Sequence, residues 1–226
     1  KRRNDSAEDD MVTEENLKLP TMNIFAIHNN FTPSACNKSL SPTFISNTPV
    51  VYELPDTALL LKHRPFFIPD YAQPCSYQGS LVIRISRLGR YIAPQYAHRY
   101  FDTATVGIAF TADNLFEHCL SNHLPWDISK GFDGAAAVGQ FQPVADLNLP
   151  CASFMLKDNG QVVQQSSNEN ANFSLAEIVS HVSQFFMLRQ GDLIYYGFPC
   201  PPTKAETDHS IEGYLNGKRV LQFSIK

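Results

Sequence analysis

Apolar residues along this chain fall in short runs broken by proline, glycine and small polar residues, a spacing that predicts strands rather than long helices. Met22-Asn23-Ile24-Phe25-Ala26-Ile27 reads as the strand that opens the folded part. Over residues 81–87 the pattern alternates, with Arg84 and Ser86 opposite Ile83 and Ile85, as a half-buried strand requires. Residues 105–110, 193–196 and 219–225 supply further strands, and Asp158-Asn159-Gly160 between two β-like runs predicts a hairpin. Prolines at Pro49, Pro55, Pro65, Pro69 and Pro74 divide the intervening stretch into short extended pieces and disfavour a helix there.

Two helices interrupt the strands. One is expected over residues 111–121, with Thr111 as its N-cap and Leu115, Cys119 and Leu120 near one face. The other begins at Ser174, where Ser174-x-x-Glu177 matches a capping box and Ile178, Val179, Val182 and Phe186 follow on one face. The expected fold is therefore mainly β (α+β) with a few short helices. Residues 1–20 are polar and charged, with too few apolar side chains to repay ordering, and read as a tail; residues 21–226 read as a single domain. Within it, residues 29–49 form a long loop rich in Asn, Ser, Thr and Pro, and such loops are more often functional than idle. Because the chain opens on Lys1 rather than Met, further residues are expected upstream.

Composition narrows the function classes. With 43% hydrophobic and 18% charged residues the chain carries enough apolar material for one sizeable core. A net charge of −4 offers no electrostatic footprint for nucleic acid or anionic lipid, and no apolar run approaches the roughly 20 residues needed to span a bilayer. Neither nucleic acid nor membrane is expected as a partner. Five cysteines, odd in number and without a Cys-x-x-Cys pair, predict reduced thiols and a cytoplasmic location. The histidines show no ligand motif: His118 and His123 stand five apart and read as solvated residues, and no Gly-x-Ser-x-Gly elbow supports a serine triad.

Three ordered stretches carry more information. Leu124-Pro125-Trp126 precedes Lys130-Gly131-Phe132-Asp133-Gly134; Asn159-Gly160 precedes Gln164, Glu177-Ile178, Ser183 and Leu188; Gly191-Asp192-Leu193-Ile194 leads into Gly197 and Pro199. In order and spacing the chain resembles the fumarylacetoacetate hydrolase family from about Met22 to Lys226. That resemblance implies a mixed β-sandwich or roll, a dimer, and cleavage or decarboxylation of small β-dicarbonyl acids with Mg2+ or Mn2+. It also places the family's metal-binding carboxylates on Gln78, Ser80 and Ala109, its acid–base loop loosely on residues 30–35, and a small-hydroxyl turn that contacts substrate on Tyr196-Gly197-Phe198-Pro199. An arginine position falls on Asp113.

None of these supplies the family's chemistry, since hard divalent cations need carboxylate oxygens and the loop offers no acid–base pair. Lys130 alone matches a family residue able to polarise a carbonyl or hold a carboxylate, with Asp113 or Asp133 as its partner; the plainer reading makes it a surface lysine before a turn. The sequence therefore leads to a protein without metal or cofactor, leaning away from an enzyme and acting as a binding or partner-regulating homologue, expected to be a homodimer and with an unidentified small-molecule or protein ligand. The alternative is an active hydrolase or decarboxylase with a rearranged site using Lys130, or with a metal held by Asp113, Glu117 or Glu53.

Overall fold

The computed structural model describes residues 22–31, 47–60 and 64–226. The predicted tail and most of the long loop, including Thr32, Pro33, Ser34 and Ala35, lie outside the described residues. In chain order the strands are β1 (Ile24–Ile27), β2 (Val51–Leu54), β3 (Cys75–Ile85), β4 (Phe101–Ala112), β5 (Ala136–Val138), β6 (Gln142–Pro143), β7 (Ser153–Asp158), β8 (Gln161–Ser167), β9 (Leu193–Tyr195), β10 (Thr203–Lys204), β11 (Ser210–Leu215) and β12 (Lys218–Ser224). Helix α1 (Asp113–Ser121) follows β4, and helix α2 (Leu175–Phe185) precedes β9.

These strands form two sheets. The larger runs β2-β1-β9-β3-β4-β5, with β10 also on β3 and β6 on β4; the smaller runs β12-β11-β7-β8. Pairing is antiparallel except between β1 and β9, so the larger sheet is mixed. The protein is mainly β with few helices, as its sequence predicts.

Both sheets close on a core in which Phe25, Phe66, Tyr77, Phe110, Leu156 and Tyr195 are fully buried. Phe66 stacks on Phe110 with ring centroids 3.6 Å apart. Polar side chains also join the layers. Tyr77 donates its hydroxyl hydrogen to Asp158 at 2.9 Å, and the same carboxylate meets His209 Nδ1 at 2.7 Å. From β8, the buried Gln164 accepts from the Gly79 N–H at 2.8 Å and donates to the Tyr77 carbonyl at 3.1 Å.

Several sequence expectations need adjusting. Thr111 caps no helix: it lies inside β4, whose pairing with Ser76 continues the ladder, and α1 begins at Asp113 behind Ala112 without a side-chain cap. His123 consequently falls beyond α1, with φ of 54°. The strand expected over residues 81–87 starts earlier and ends earlier, at Cys75 and Ile85, because β4 supplies partners along that whole length. Other readings hold. Ser174 accepts from the Glu177 N–H while Glu177 reaches back to the Ser174 N–H, completing the capping box, and Asn159 and Gly160 take φ of 47° and 80° in the β7–β8 turn.

Gln164 sits where water cannot take over its hydrogen bonds. Gln164→Leu is therefore expected to lower unfolding free energy by about 1–3 kcal/mol through the Gly79 and Tyr77 groups left unpaired. Urea titration followed by far-ultraviolet circular dichroism checks this, with Gln165→Leu on the exposed side of the same strand as the neutral comparison.

Candidate functional site

Alternation along β3 sorts its side chains onto two faces. Tyr77 and Gly79 face the smaller sheet, where a Cβ on Gly79 would stand 2.7 Å from the Phe154 ring and 2.8 Å from Leu156, so only glycine lets the sheets approach this closely. Ser76, Gln78 and Ser80 face the other way. Across the ladder they meet Thr111, Ala109 and Gly107 respectively. Gln78, Ser80 and Ala109, far apart in sequence, are thus neighbours on one patch of sheet.

The opposite edge of β3 has a gap. Strand β9 pairs with residues 82–84 and β10 with residues 76–77, and the chain between them, residues 196–202, leaves the sheet beside Gln78 and Ser80. Side chains tie this loop down: the Gly197 N–H donates to Ser80 Oγ at 3.3 Å, and Gln78 Nε2 donates to the Cys200 carbonyl at 2.6 Å. Gly197 has φ of 129°, and a Cβ there would lie 2.8 Å from that of Asn30. Tyr196 is 4% exposed, donates its hydroxyl hydrogen to the Phe173 carbonyl at 2.7 Å and meets the Phe31 ring edge-on, so it anchors the loop. Phe198 and Pro199 are half-buried beyond it.

One pleat repeat from Ala109 lies a second cluster. Lys130 follows the short turn Asp127–Ser129, where Ser129 is buried and its hydroxyl bonds the Trp126 carbonyl. Lys130 Nζ donates to Thr111 Oγ1 at 2.8 Å and stands 4.9 Å from the centre of the Phe116 ring. Phe116 and Tyr52 both meet Trp126 edge-on, and the His28 ring lies 6.4 Å from Trp126. Burial of its ammonium lowers the Lys130 pKa to about 8, against the opposing pull of Asp113. His28 is an exposed residue whose ring is desolvated on the side towards Trp126; that desolvation, and then the Lys130 charge, lower its pKa. Asp113 accepts from the Ser76 hydroxyl at 2.7 Å, and burial raises its pKa. Asp133 is exposed and is not a neighbour that shifts the Lys130 pKa.

A divalent cation does not fit these residues. Mg2+ and Mn2+ take hard, mostly anionic oxygens. Gln78 has committed its amide nitrogen to Cys200 and offers one neutral oxygen, Ser80 offers a hydroxyl already accepting from Gly197, and Ala109 offers a methyl group. Among the described residues no three His, Cys, Asp or Glu side chains converge on one point. Asp113 is engaged by Ser76, while Glu53 and Glu117 are exposed.

Sequence reasoning singled out Lys130 and Asp113 but passed over His28, Thr111, Phe116 and Tyr52. A lone histidine directly after a buried strand was the available signal; nothing in the sequence said that the turn after β1 would fold towards Trp126.

With this geometry in hand, comparison with known proteins is informative. Residues 23–221 match the family model described as fumarylacetoacetate (FAA) hydrolase, C-terminal. The chain belongs to the fumarylacetoacetate hydrolase family. It is 28% identical over 190 residues to the mitochondrial oxaloacetate tautomerase FAHD1 of Mus musculus, covering 84% of this chain and 86% of that protein. The corresponding Caenorhabditis elegans protein is 26% identical over 183 residues, covering 80% and 86%. Among solved structures, fumarylpyruvate hydrolase from Pseudomonas aeruginosa, determined with Mn2+ and pyruvate, superposes with a TM-score of 0.81 at 25% identity, covering 91% of this chain and 90% of that one. A fumarylacetoacetate hydrolase family protein from Yersinia pestis CO92 gives the same TM-score at 24% identity, covering 93% and 95%, which supports the fold.

The β3–β4 register supplies a test of the donor set. Introducing Gln78→Glu, Ser80→Glu and Ala109→Asp together is expected to create a Mn2+ site, seen as a melting temperature that rises on adding Mn2+, whereas Ser80→Glu alone lowers the melting temperature and gains nothing from the ion. A triple variant that folds but shows no calorimetric Mn2+ binding would show that the three positions do not converge.

Proposed function

We propose that this protein binds small β-dicarbonyl acids at the Lys130 cluster and enolises them without a divalent cation. The observation that carries the reading is the enclosed Lys130 ammonium, held by Thr111 beside the sheet patch of Gln78 and Ala109, with its pKa lowered to about 8 and His28 close enough to respond to its charge. Its relatives lend support, since oxaloacetate tautomerases align over about four-fifths of the chain.

Enolisation needs two things from the protein: a donor on the carbonyl oxygen and a base for the adjacent C–H. An ammonium ion in a poorly solvated pocket can stabilise the developing enolate, the role a metal cation fills elsewhere. Lys130 gives its proton to that oxygen; neutral His28, whose lowered pKa leaves it unprotonated at neutral pH, takes the carbon proton. One C–H bond breaks, one O–H bond forms, and no co-reactant is consumed. Loss of carbon dioxide from a β-oxo acid would draw on the same electron sink, with the C–C pair flowing to the oxygen. Hydrolytic C–C cleavage asks for an activated water as well, and the described residues around Gln78 and Ser80 provide no base for one.

A second reading, a binding or partner-regulating protein without turnover, is favoured by the way Gln78 and Ser80 are spent on the backbone of residues 197–200. As to compartment, among the described residues no helix is long and apolar enough to cross a membrane. The mammalian relatives are named mitochondrial proteins; free thiols at Cys75, Cys119, Cys151 and Cys200 fit any reducing compartment, the mitochondrial matrix as well as the cytosol.

Enol-to-keto conversion of oxaloacetate, followed in the ultraviolet with chelator present, tests the proposal. Lys130→Met is expected to lower kcat/KM by about 10²–10³-fold. The wild-type rate should rise with pH through an acid limb as His28 loses its proton, displaced downward from that of a free imidazole, and fall near pH 8 as Lys130 does. In Lys130→Arg, which stays charged, the upper limb should disappear. Activity that vanishes with chelator and returns with Mn2+ would sink the metal-independent reading, and oxaloacetate that raises the melting temperature without turnover would favour the silent one.

The enclosed lysine also shapes stability. Between about pH 8 and its unfolded value of 10.5 the unfolded chain holds a proton that the folded one has lost, so stability attributable to Lys130 increases with pH across that window. Urea titrations at both ends of the window are expected to show Lys130→Met gaining over wild type at the lower pH, where the buried ammonium is charged, and that gain shrinking as pH rises.

A further inference from the structure

Two stretches distant in sequence, residues 86–101 and 178–191, lie side by side on the surface. Gly89 and Leu188 exchange backbone hydrogen bonds at 3.0 and 2.9 Å, the Tyr91 N–H donates to the Ser183 carbonyl at 3.0 Å, and the Ile92 N–H donates to Ser183 Oγ at 2.9 Å. From this joined surface Leu88, Tyr91, Tyr96, Phe185 and Met187 project outward, Tyr91 being 69% and Leu88 64% exposed. Single exposed apolar residues are ordinary, but a concentration of large ones on one face marks an interaction site. Between Tyr91, Ile92 and Ala93 on one side and Ser180 and Gln184 of α2 on the other runs an open cleft of about 470 Å³.

Charge sets this face apart from the rest of the chain. Residues 86–101 and 178–191 contain Arg87, Arg90, Arg99 and Arg189 with His98 and His181, and no aspartate, glutamate or lysine, in a protein whose net charge is −4; of the acids at their borders, Asp192 is buried and interacts with Arg189, while Asp102 and Glu177 are exposed, which leaves Arg87, Arg90 and Arg99 as the charges this face offers. Arg90 and Arg99 lie over the exposed rings of Tyr91 and Tyr96, at 4.9 and 5.0 Å from the ring centres. Tyr91 itself has φ of 53°, an unusual conformation for a bulky residue, and its ring gains little burial within the chain in return.

We propose that this face docks an acidic segment of a partner protein, one in which carboxylates alternate with apolar side chains. Arginine, tyrosine, phenylalanine and methionine without lysine is the composition that marks protein interfaces, and guanidinium groups pair with carboxylates in a fixed two-pronged geometry that ammonium groups lack. The cleft beside Tyr91 receives an apolar side chain of the segment, and Arg90 and Arg99 meet its carboxylates. Symmetric self-association through this face is disfavoured, because a two-fold axis would set like-charged arginines against one another.

The test is fluorescence anisotropy with a short labelled peptide of alternating glutamate and leucine or phenylalanine, set beside its lysine-for-glutamate counterpart, oligo-deoxythymidine, and phosphatidylcholine vesicles containing phosphatidylserine. The acidic peptide is expected to bind wild type and its lysine counterpart not to. Binding should weaken about tenfold or more in Arg90→Glu/Arg99→Glu and in Tyr91→Gly, which removes the ring while accepting the backbone conformation, and stay unchanged in Lys157→Glu on the other sheet. Melting temperatures close to that of wild type would show that the variants remain folded. Failure of the acidic peptide to bind, or equal binding by all variants, overturns the proposal. So does tighter binding of the oligonucleotide or the vesicles through the same residues, or a wild-type dimer in sedimentation that Arg90→Glu/Arg99→Glu converts to monomer.

Discussion

The amide of Gln164 holds the centre of this structure together. Strand β3 is paired along one whole side by β4, but on the other side its partners β9 and β10 leave an interval at residues 78–81. There Gln164 reaches across from the smaller sheet, taking the Gly79 N–H and sharing the two hydrogens of its amide among the Tyr77 carbonyl, the Pro201 carbonyl and Thr203 Oγ1. A side chain thus stands in for a missing stretch of strand. The arrangement works only because Gly79 has no Cβ to hold the sheets apart. Its bonds to Pro201 and Thr203 also fasten the end of the loop whose backbone covers Gln78 and Ser80.

That cover frames the chemistry. Where an ion would need three carboxylates, the chain has two neutral groups joined to a loop and a methyl group, and one pleat away the Lys130 ammonium sits on Thr111. An ammonium supplies a proton as well as a field, which suits reactions that shuttle protons between carbon and oxygen better than reactions that must activate water. The Phe116 ring, packed on Trp126, lies against Lys130, and burial of the ammonium there brings a residue ordinarily charged throughout the physiological range within reach of losing its proton.

How much of this was legible in the sequence depends on the range of the interactions. Local signals read true: the Ser174 capping box, the Asn159-Gly160 turn and the alternation at Ile83, Arg84 and Ile85 all rest on neighbours a few residues apart. Thr111 misled because its identity suits both an N-cap and a strand, and the choice was made by Ser76, a partner on another strand. Gln164 was visible as a motif residue without a visible task, since its partners lie on a different sheet. The grouping of Gln78, Ser80 and Ala109 came from family resemblance, and the β3–β4 register makes Gln78 and Ala109 cross-strand partners with Ser80 one pleat along, whereas His28 was passed over because its setting depends on Trp126 and on the charge of Lys130, about a hundred residues away in sequence.

Helix α2 acquires a mechanical character from its two attachments. At its beginning, Phe173 is bound through its carbonyl to Tyr196 and through its N–H to Asn30, both part of the ground on which residues 196–202 rest. Near its end, Ser183 holds Tyr91 and Ile92, and Leu188 holds Gly89. Eleven residues at 1.5 Å apiece make a strut of about 16 Å between these anchorages, stiffened at its first turn by the Ser174–Glu177 cap. A rod pinned at both ends cannot bend locally without loss of hydrogen bonds, so one rigid member joins the footing of Tyr91 to that of Tyr196.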